Sequence, residues 1–190
     1  MTPIAVPLAQ AYRLLNHGPT VLVSSAHAGR RNVMAAAWSM PLDFDPPKVA
    51  VVIDKSTLTR TLIEASGEFV LAVPTRALAE TTLAAGSCSG RDGDKFTALE
   101  FDTLPASRVA APLPAGCIAW LECRVLDEPH LQRTYDLFLA EVVLAWADPE
   151  VYSEGRWHFP ADGRRSIHYV AGGQFFATGD AFEVERSKGS

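Results

Sequence analysis

Neither a G-x-G-x-x-G turn nor a G-x-x-x-x-G-K-[ST] loop occurs anywhere in the 190 residues. A dinucleotide-binding doubly wound fold and a P-loop each need such a glycine-rich turn between strand and helix, so both are excluded. Cysteine is scarce: Cys88, Cys117 and Cys123 form no C-x-x-C pair. A disulfide framework and a zinc knuckle are therefore not expected, and buried, reduced thiols are, with Cys88 alone in a polar stretch. A basic excess is missing, because 17 Lys and Arg face 22 Asp and Glu for a formal net charge of -5. Binding to a nucleic-acid backbone is not expected from such a balance. Long hydrophobic runs are missing too. The uncharged stretch in the middle of the chain, residues 109–121, is broken by Pro112, Pro114 and Gly116 and falls short of the roughly 18 apolar residues of a spanning helix. The start, MTPIAVPLAQAYRLL, has no basic residues ahead of an apolar core and does not read as a signal peptide, which points to the cytoplasm. The histidines at 17, 27, 130, 158 and 168 have no partners at helical or hairpin spacing, so no metal site is expected. G-x-S-x-G is absent, so no serine nucleophile elbow is expected either.

Apolar residues, by contrast, are abundant. They make up 48% of the chain against 21% charged, with a mean hydropathy of +0.07, at the apolar edge for a soluble domain. The surplus has two ordinary destinations, a subunit interface or a ligand pocket. The length predicts one domain over residues 1–190.

Short β-branched segments recur along it. Residues 21–25 and 48–53 read as strands, the second buried on both faces, and residues 32–40 as another strand that Asp45-Pro46-Pro47 closes off. A helix is predicted from a Ser56-Thr57 cap to Ser66 with Gly67 as its stop. Residues 68–74 follow as a strand, and 76–84 as a helix ending before Gly86. Residues 86–101 are polar and glycine-rich, and 104–116 are proline-punctuated and extended. Two long strands, 118–126 and 137–146, are predicted as antiparallel neighbours with one face on the core: Phe138, Ala140, Val142, Leu144 and Trp146 share one face of the second. The pattern is mainly β with short helices and suggests a closed or nearly closed barrel.

Three segments carry chemistry. Asn32 followed by Ala35, Ala36, Ala37 and Trp38 either packs as an ordinary strand with Trp38 in the core, or offers bare backbone and an indole to a flat heteroaromatic ring. The hydroxyl-rich junction at residues 54–61, with Lys55 and Arg60, is either a plain helix cap or a phosphate cradle. Residues 87–96, with Ser87, Ser89 and Lys95, either connect two elements or complete an anion site.

In their order these blocks resemble the flavin reductase-like family. The residues that carry the resemblance are Asn32-Val33-Met34-Ala35-Ala36-Ala37-Trp38, Asp45-Pro46-Pro47, Thr59-Arg60-Thr61-Leu62-Ile63 running into Gly67-Glu68-Phe69, Asp94-Lys95-Phe96, Ala119 to Val125, Phe138 to Val142, and Gly172-Gly173-Gln174-Phe175-Phe176. The resemblance implies an FMN-binding split β-barrel with its core at about residues 12–176, a homodimer with FMN at the subunit interface, and NADH or NADPH as electron donor. It implies that Asn32, Ala36, Ala37 and Trp38 line the isoalloxazine ring, and that Ser56, Thr59, Ser87, Ser89 and Lys95 hold the phosphate or ribityl chain. Where the family often has Gly-Asp-His this chain has Arg133-Thr134-Tyr135, which brings a Tyr135 hydroxyl near the flavin in place of histidine. Ala140 and Glu100 stand where the family often has glycine. That departure keeps open a flavoredoxin-type carrier serving an electron-accepting protein, beside a reductase or a barrel holding another ligand.

Overall fold

The computed structural model describes residues 2–184. In chain order, β1 (Ile4–Val6), β2 (Val21–His27), β3 (Arg30–Ala36), β4 (Ser39–Phe44) and β5 (Pro47–Val52) lead to helix α1 (Leu58–Ser66), strand β6 (Glu68–Val73) and helices α2 (Ala79–Ser87) and α3 (Lys95–Ala98). The short pair β7 (Thr103–Leu104) and β8 (Leu113–Pro114) precedes β9 (Ala119–Val125), helix α4 (Pro129–Tyr135) and the long β10 (Leu137–Ala147). A ribbon of β11 (Tyr152–Ser153) and β12 (Arg156–Trp157) is followed by the hairpin β13 (Ile167–Ala171) and β14 (Gln174–Ala177). Among the described residues no helix is long and apolar enough to cross a membrane.

The main sheet runs β3-β2-β6-β9-β10-β5-β4, with β1 added to the far end of β10. Its two end strands are consecutive in the chain: β3 stops at Ala36, β4 starts at Ser39, and only Ala37 and Trp38 lie between. Each residue reaches at most about 3.6 Å, so the link forces the two edges of a seven-strand path together and curls the sheet into a barrel. The edges approach without pairing, which leaves the split. At this corner Val52 N donates to Trp38 O at 3.0 Å. The expected single strand over 32–40 is thus two strands, because a barrel corner has to fall where the sheet closes.

Helix α1 forms as its residues dictate. Thr57 caps it by accepting Arg60 N at 3.2 Å, Leu58, Leu62 and Ile63 face inward, and Gly67 ends it at φ 72°, a conformation glycine adopts without strain. Helix α2 does not stop before Gly86 but continues through it to Ser87. A Cβ at Gly86 would lie 3.2 Å from the Ala35 Cβ, so this glycine permits close helix-to-strand approach rather than a turn. Helix α4 was not expected, although Pro129 in its first turn is a recognised opening residue.

The central strands are buried on both faces. Val21, Val23, Phe69, Leu71, Leu121 and Cys123 point into the barrel, while Leu22, Val70, Ala72 and Trp120 point into a second cluster with Val33, Phe96 and Leu113 outside it. Much of the apolar surplus goes there, a third destination besides interface and pocket. Cys117 and Cys123 are fully buried and free, and burial pushes both thiols well above their ordinary range, whereas Cys88 is exposed. The predicted alternation of β10 holds only to Val142. A bulge between Val142 and Leu144 reverses the phase, so that Ala145 and Ala147, not Leu144 and Trp146, face the barrel interior.

The β13–β14 hairpin stands off the main sheet and is stitched to residues 17–20. Thr20 N donates to Ile167 O at 2.8 Å, Tyr169 N donates to Thr20 Oγ1 at 2.7 Å, and His168 Nδ1 donates to Gly18 O at 2.9 Å. His17 Nε2 lies 3.0 Å from Ser166 Oγ. Burial, helped by the charge of His168, lowers the His17 pKa to about 4. The unfolded chain takes up this proton near pH 6.5, so between pH 6.5 and 4 the unfolded state holds more protons. Stability is therefore complete above pH 6.5 and is expected to fall by roughly 2–3 kcal/mol as pH drops towards 4. Urea unfolding from pH 7 to 4 checks this, and His17→Asn should flatten the slope.

Candidate functional site

A cavity of about 610 Å³ opens at the split. Its floor is the end of β3 and the corner, Ala35, Ala36, Ala37 and Trp38; Thr82, Leu83, Gly86 and Ser87 of α2 form one wall. Asp54, Tyr135 and Asp136 form the opposite rim, and the hairpin contributes Tyr169, Val170 and Phe175. Local sequence accounts for each wall: three successive alanines keep the floor flat, and Gly86 lets α2 lie close beside it. Trp38, 75% exposed, and Tyr135, 61% exposed, stand at the mouth rather than in the core.

Tyr135 is placed through Arg60. This guanidinium is nearly buried; its Nε donates to Glu64 Oε1 at 2.7 Å and its Nη2 to Gln132 O at 2.9 Å, while Nη1 pairs with Asp136. Helix α4 is thereby fastened to α1, and of the two readings left open for the 54–61 junction, helix cap or phosphate cradle, the Arg60 side chain serves the structural one. Asp54 Oδ1 accepts from Ser56 Oγ at 2.6 Å and Ser56 N at 2.7 Å, and these bonds hold the carboxyl below its ordinary range. Asp54 thus presents a carboxylate to the cavity rim at neutral pH.

Of the residues singled out in the sequence, Ala36, Ala37, Trp38, Ser87 and Tyr135 are brought together on this cavity. Asn32, Ser56, Thr59, Ser89 and Lys95 are not part of its lining. Asn32 and Thr59 are buried, and Asn32 Nδ2 donates to Thr59 Oγ1 at 2.8 Å. Gly90 lies directly on that amide, where a Cβ would come within 2.1 Å of Asn32 Oδ1. The pair therefore joins β3, α1 and the segment after α2. Ser56 is held by Asp54, and Ser89 Oγ accepts from Arg91 N at 3.1 Å. Lys95 is buried, with Nζ donating to Ala85 O at 2.6 Å; burial lowers its pKa.

Sequence reasoning missed Thr82. It is fully buried on the cavity wall, and its Oγ1 has no hydrogen-bond partner. An unsatisfied buried hydroxyl costs about 1–3 kcal/mol, so it marks a place for a ligand's polar atom. One of two adjacent threonines in an alanine-rich helix carried no signal in the sequence. Among the described residues no group of three or more His, Cys, Asp or Glu could hold a metal ion.

A mainly β split barrel with a largely apolar cavity at its seam has the form of a site for an organic ligand. The chain belongs to the flavin reductase-like family: residues 13–167 match the flavin reductase like domain. It is similar to the uncharacterized protein YddH of Escherichia coli (strain K12), 47% identical over 179 residues that cover 93% of this chain and 95% of that one. Among solved structures, it is similar to an FMN-binding domain of a flavin reductases-like enzyme from Shewanella baltica OS155. The identity is 52% and the TM-score 0.93, with 97% of this chain and 98% of that one covered. Flavoredoxin of Desulfovibrio vulgaris (Miyazaki F), at 24% identity and TM-score 0.75 over 90% and 92% of the two chains, shares the fold.

Proposed function

We propose that this chain is a cytoplasmic, homodimeric FMN-binding oxidoreductase that takes electrons from NADH or NADPH. The observation that carries the reading is the alanine-floored cavity at the barrel split, in a chain 52% identical to a protein described as FMN-binding. Its volume lies within the usual range for organic ligands, about 300–1,000 Å³. The residues fit the group: small side chains where a ring lies flat, an unpartnered Thr82 hydroxyl for a ring-edge acceptor, and Ser87 beside it on the α2 wall. Bound FMN supplies two-electron chemistry, accepting a hydride and passing electrons on.

The protein's own part is placement. Ala36 and Ala37 let the ring approach the backbone, and Trp38 and Tyr135 flank the mouth where a second planar molecule docks. The ionised Asp54 disfavours an anionic group on that rim. Support for the homodimer comes from edge strand β4. Trp38 just before it, Met40 and Leu42 are exposed ahead of or at a register shift between Pro41 and Asp43, and Phe44 beyond that shift is exposed as well. Such an apolar edge needs a cover, and a second copy supplies it.

The test is direct. Purified protein should be yellow or take up one FMN per chain, and should elute as a dimer by light scattering. Anaerobic NADH or NADPH should bleach the bound flavin. A protein that takes up no FMN overturns the reading; persistent yellow with both nicotinamides replaces the reductase by a carrier that receives electrons from another protein.

A further inference from the structure

The rim of the cavity sets an acid between two exposed aromatic rings. Strand β5 ends at Val52, whose N–H donates to Trp38 O at 3.0 Å, and the next residue, Ile53, donates its N–H to Asp136 O at 2.8 Å. Asp54 follows directly, so the backbone fixes its place between Trp38 and the Tyr135-Asp136 pair, and all four line the cavity. The hairpin adds Tyr169 and Phe175 to the same lining, their ring centroids 5.2 Å apart. The two carboxylates are not equivalent. Asp136 is paired with the Arg60 guanidinium, so its charge is already neutralised. Asp54 is bonded to neutral donors, the Ser56 N–H and hydroxyl, and enters no ion pair among the described residues. No lysine, arginine or histidine among the described residues belongs to the lining. The lining also holds the Thr82 hydroxyl, fully buried and unpartnered, which marks the cavity as a ligand site independently of the acid.

We propose that Asp54 is a charge-specificity residue, and that the second planar molecule received at this mouth is a heteroaromatic cation or its neutral counterpart, not a carboxylate-bearing ring. This rests on the flavin reading above and adds the charge of the molecule that docks on the flavin. Aromatic faces attract cations, tryptophan most strongly. The Asp54 carboxylate adds a full negative charge on the same rim, where apolar walls focus its field. An anionic ring meets both as repulsion, with no cation on the lining to offset them.

Three pyridines of similar shape and different charge test it: nicotinamide methylated at its ring nitrogen, a cation; nicotinamide, which is neutral; and nicotinate, an anion. Each is titrated into the FMN-loaded full-length chain at neutral pH, and the absorbance of the bound flavin is read. The cation is expected to bind at least about tenfold more tightly than nicotinate, with nicotinamide between them. Asp54→Asn keeps an acceptor for both Ser56 donors and removes only the charge, so it should cut the cation-to-anion ratio at least about threefold. Asp54→Glu should keep the order, and raising salt from about 0.05 M to about 0.5 M should narrow the ratio. Nicotinate binding as tightly as the cation overturns the assignment, as does a cation that does not bind or a ratio that Asp54→Asn leaves unchanged. A chain that takes up no FMN overturns the flavin reading alone. The same three probes, followed by tryptophan fluorescence of the flavin-free chain, then decide the role of Asp54 by the same order.

Discussion

Glu122→Ala is expected to lower the unfolding free energy by about 3–5 kcal/mol, because it leaves several buried donors without an acceptor at about 1–3 kcal/mol each. Glu122 sits in β9 with no solvent exposure, facing the cluster outside the barrel. Its carboxylate accepts Arg108 N at 2.5 Å, Ser107 N at 3.1 Å, Val109 N at 3.2 Å and Trp146 Nε1 at 2.8 Å. Alanine strands four donors at once, and each loses its partner where water replaces it poorly. The segment before β8 then loses its hold on the sheet. That segment covers Trp120, whose Nε1 donates to Pro114 O at 2.8 Å. Glu122→Gln keeps one acceptor but turns an NH₂ towards backbone donors, so it should lose less than alanine. Urea unfolding followed by tryptophan fluorescence checks both, and an alanine loss below about 1 kcal/mol contradicts the account. Glu122 does not line the cavity, so FMN affinity measured in the folded variant should stay near that of wild type.

Ala37→Phe is expected to do the reverse, abolishing flavin binding with little effect on stability. Ala37 lies in the link between the two sheet edges, is exposed, and forms part of the cavity floor. A phenyl ring there fills the space the isoalloxazine would take without displacing core atoms. The Kd for FMN should rise at least about a hundredfold, equivalent to about 2.7 kcal/mol. The thermal midpoint should move by no more than a few degrees. Fluorescence titration and a thermal melt measure the two sides. Retained affinity would mean that the ring lies elsewhere, and a collapsed midpoint that Ala37 belongs to the core.

Comparison of these two positions indicates what was legible in the chain. Three successive alanines before a tryptophan mark a flat, small-residue surface, and the structure places Ala36, Ala37 and Trp38 on the cavity together. Helix α1 was readable from end to end, because its cap, its inward positions and its glycine stop are all local. Glu122 was not. By alternation it belongs with Arg124 on a polar face, and only the segment folding back over β9 turns that face into an interior. Lys95 looked like a free cation in a polar loop, yet that stretch holds helix α3 and carries the ammonium under α2. The β10 bulge left no mark in a run of apolar residues that read equally well in either phase.

Composition, strand periodicity, helix caps and the order of the blocks are properties of neighbouring residues, and the sequence by itself determined from them a mainly β barrel of the flavin reductase-like family. Which polar groups are free and which are committed depends on partners far along the chain, such as Asn32 with Thr59, Arg60 with Asp136 and Glu122 with Trp146. Those pairings exist only once the sheet has curled and its edges have met at Ala37 and Trp38. For that reason the tertiary structure alone decided that the cavity lies at the split and that Thr82 faces it unpartnered.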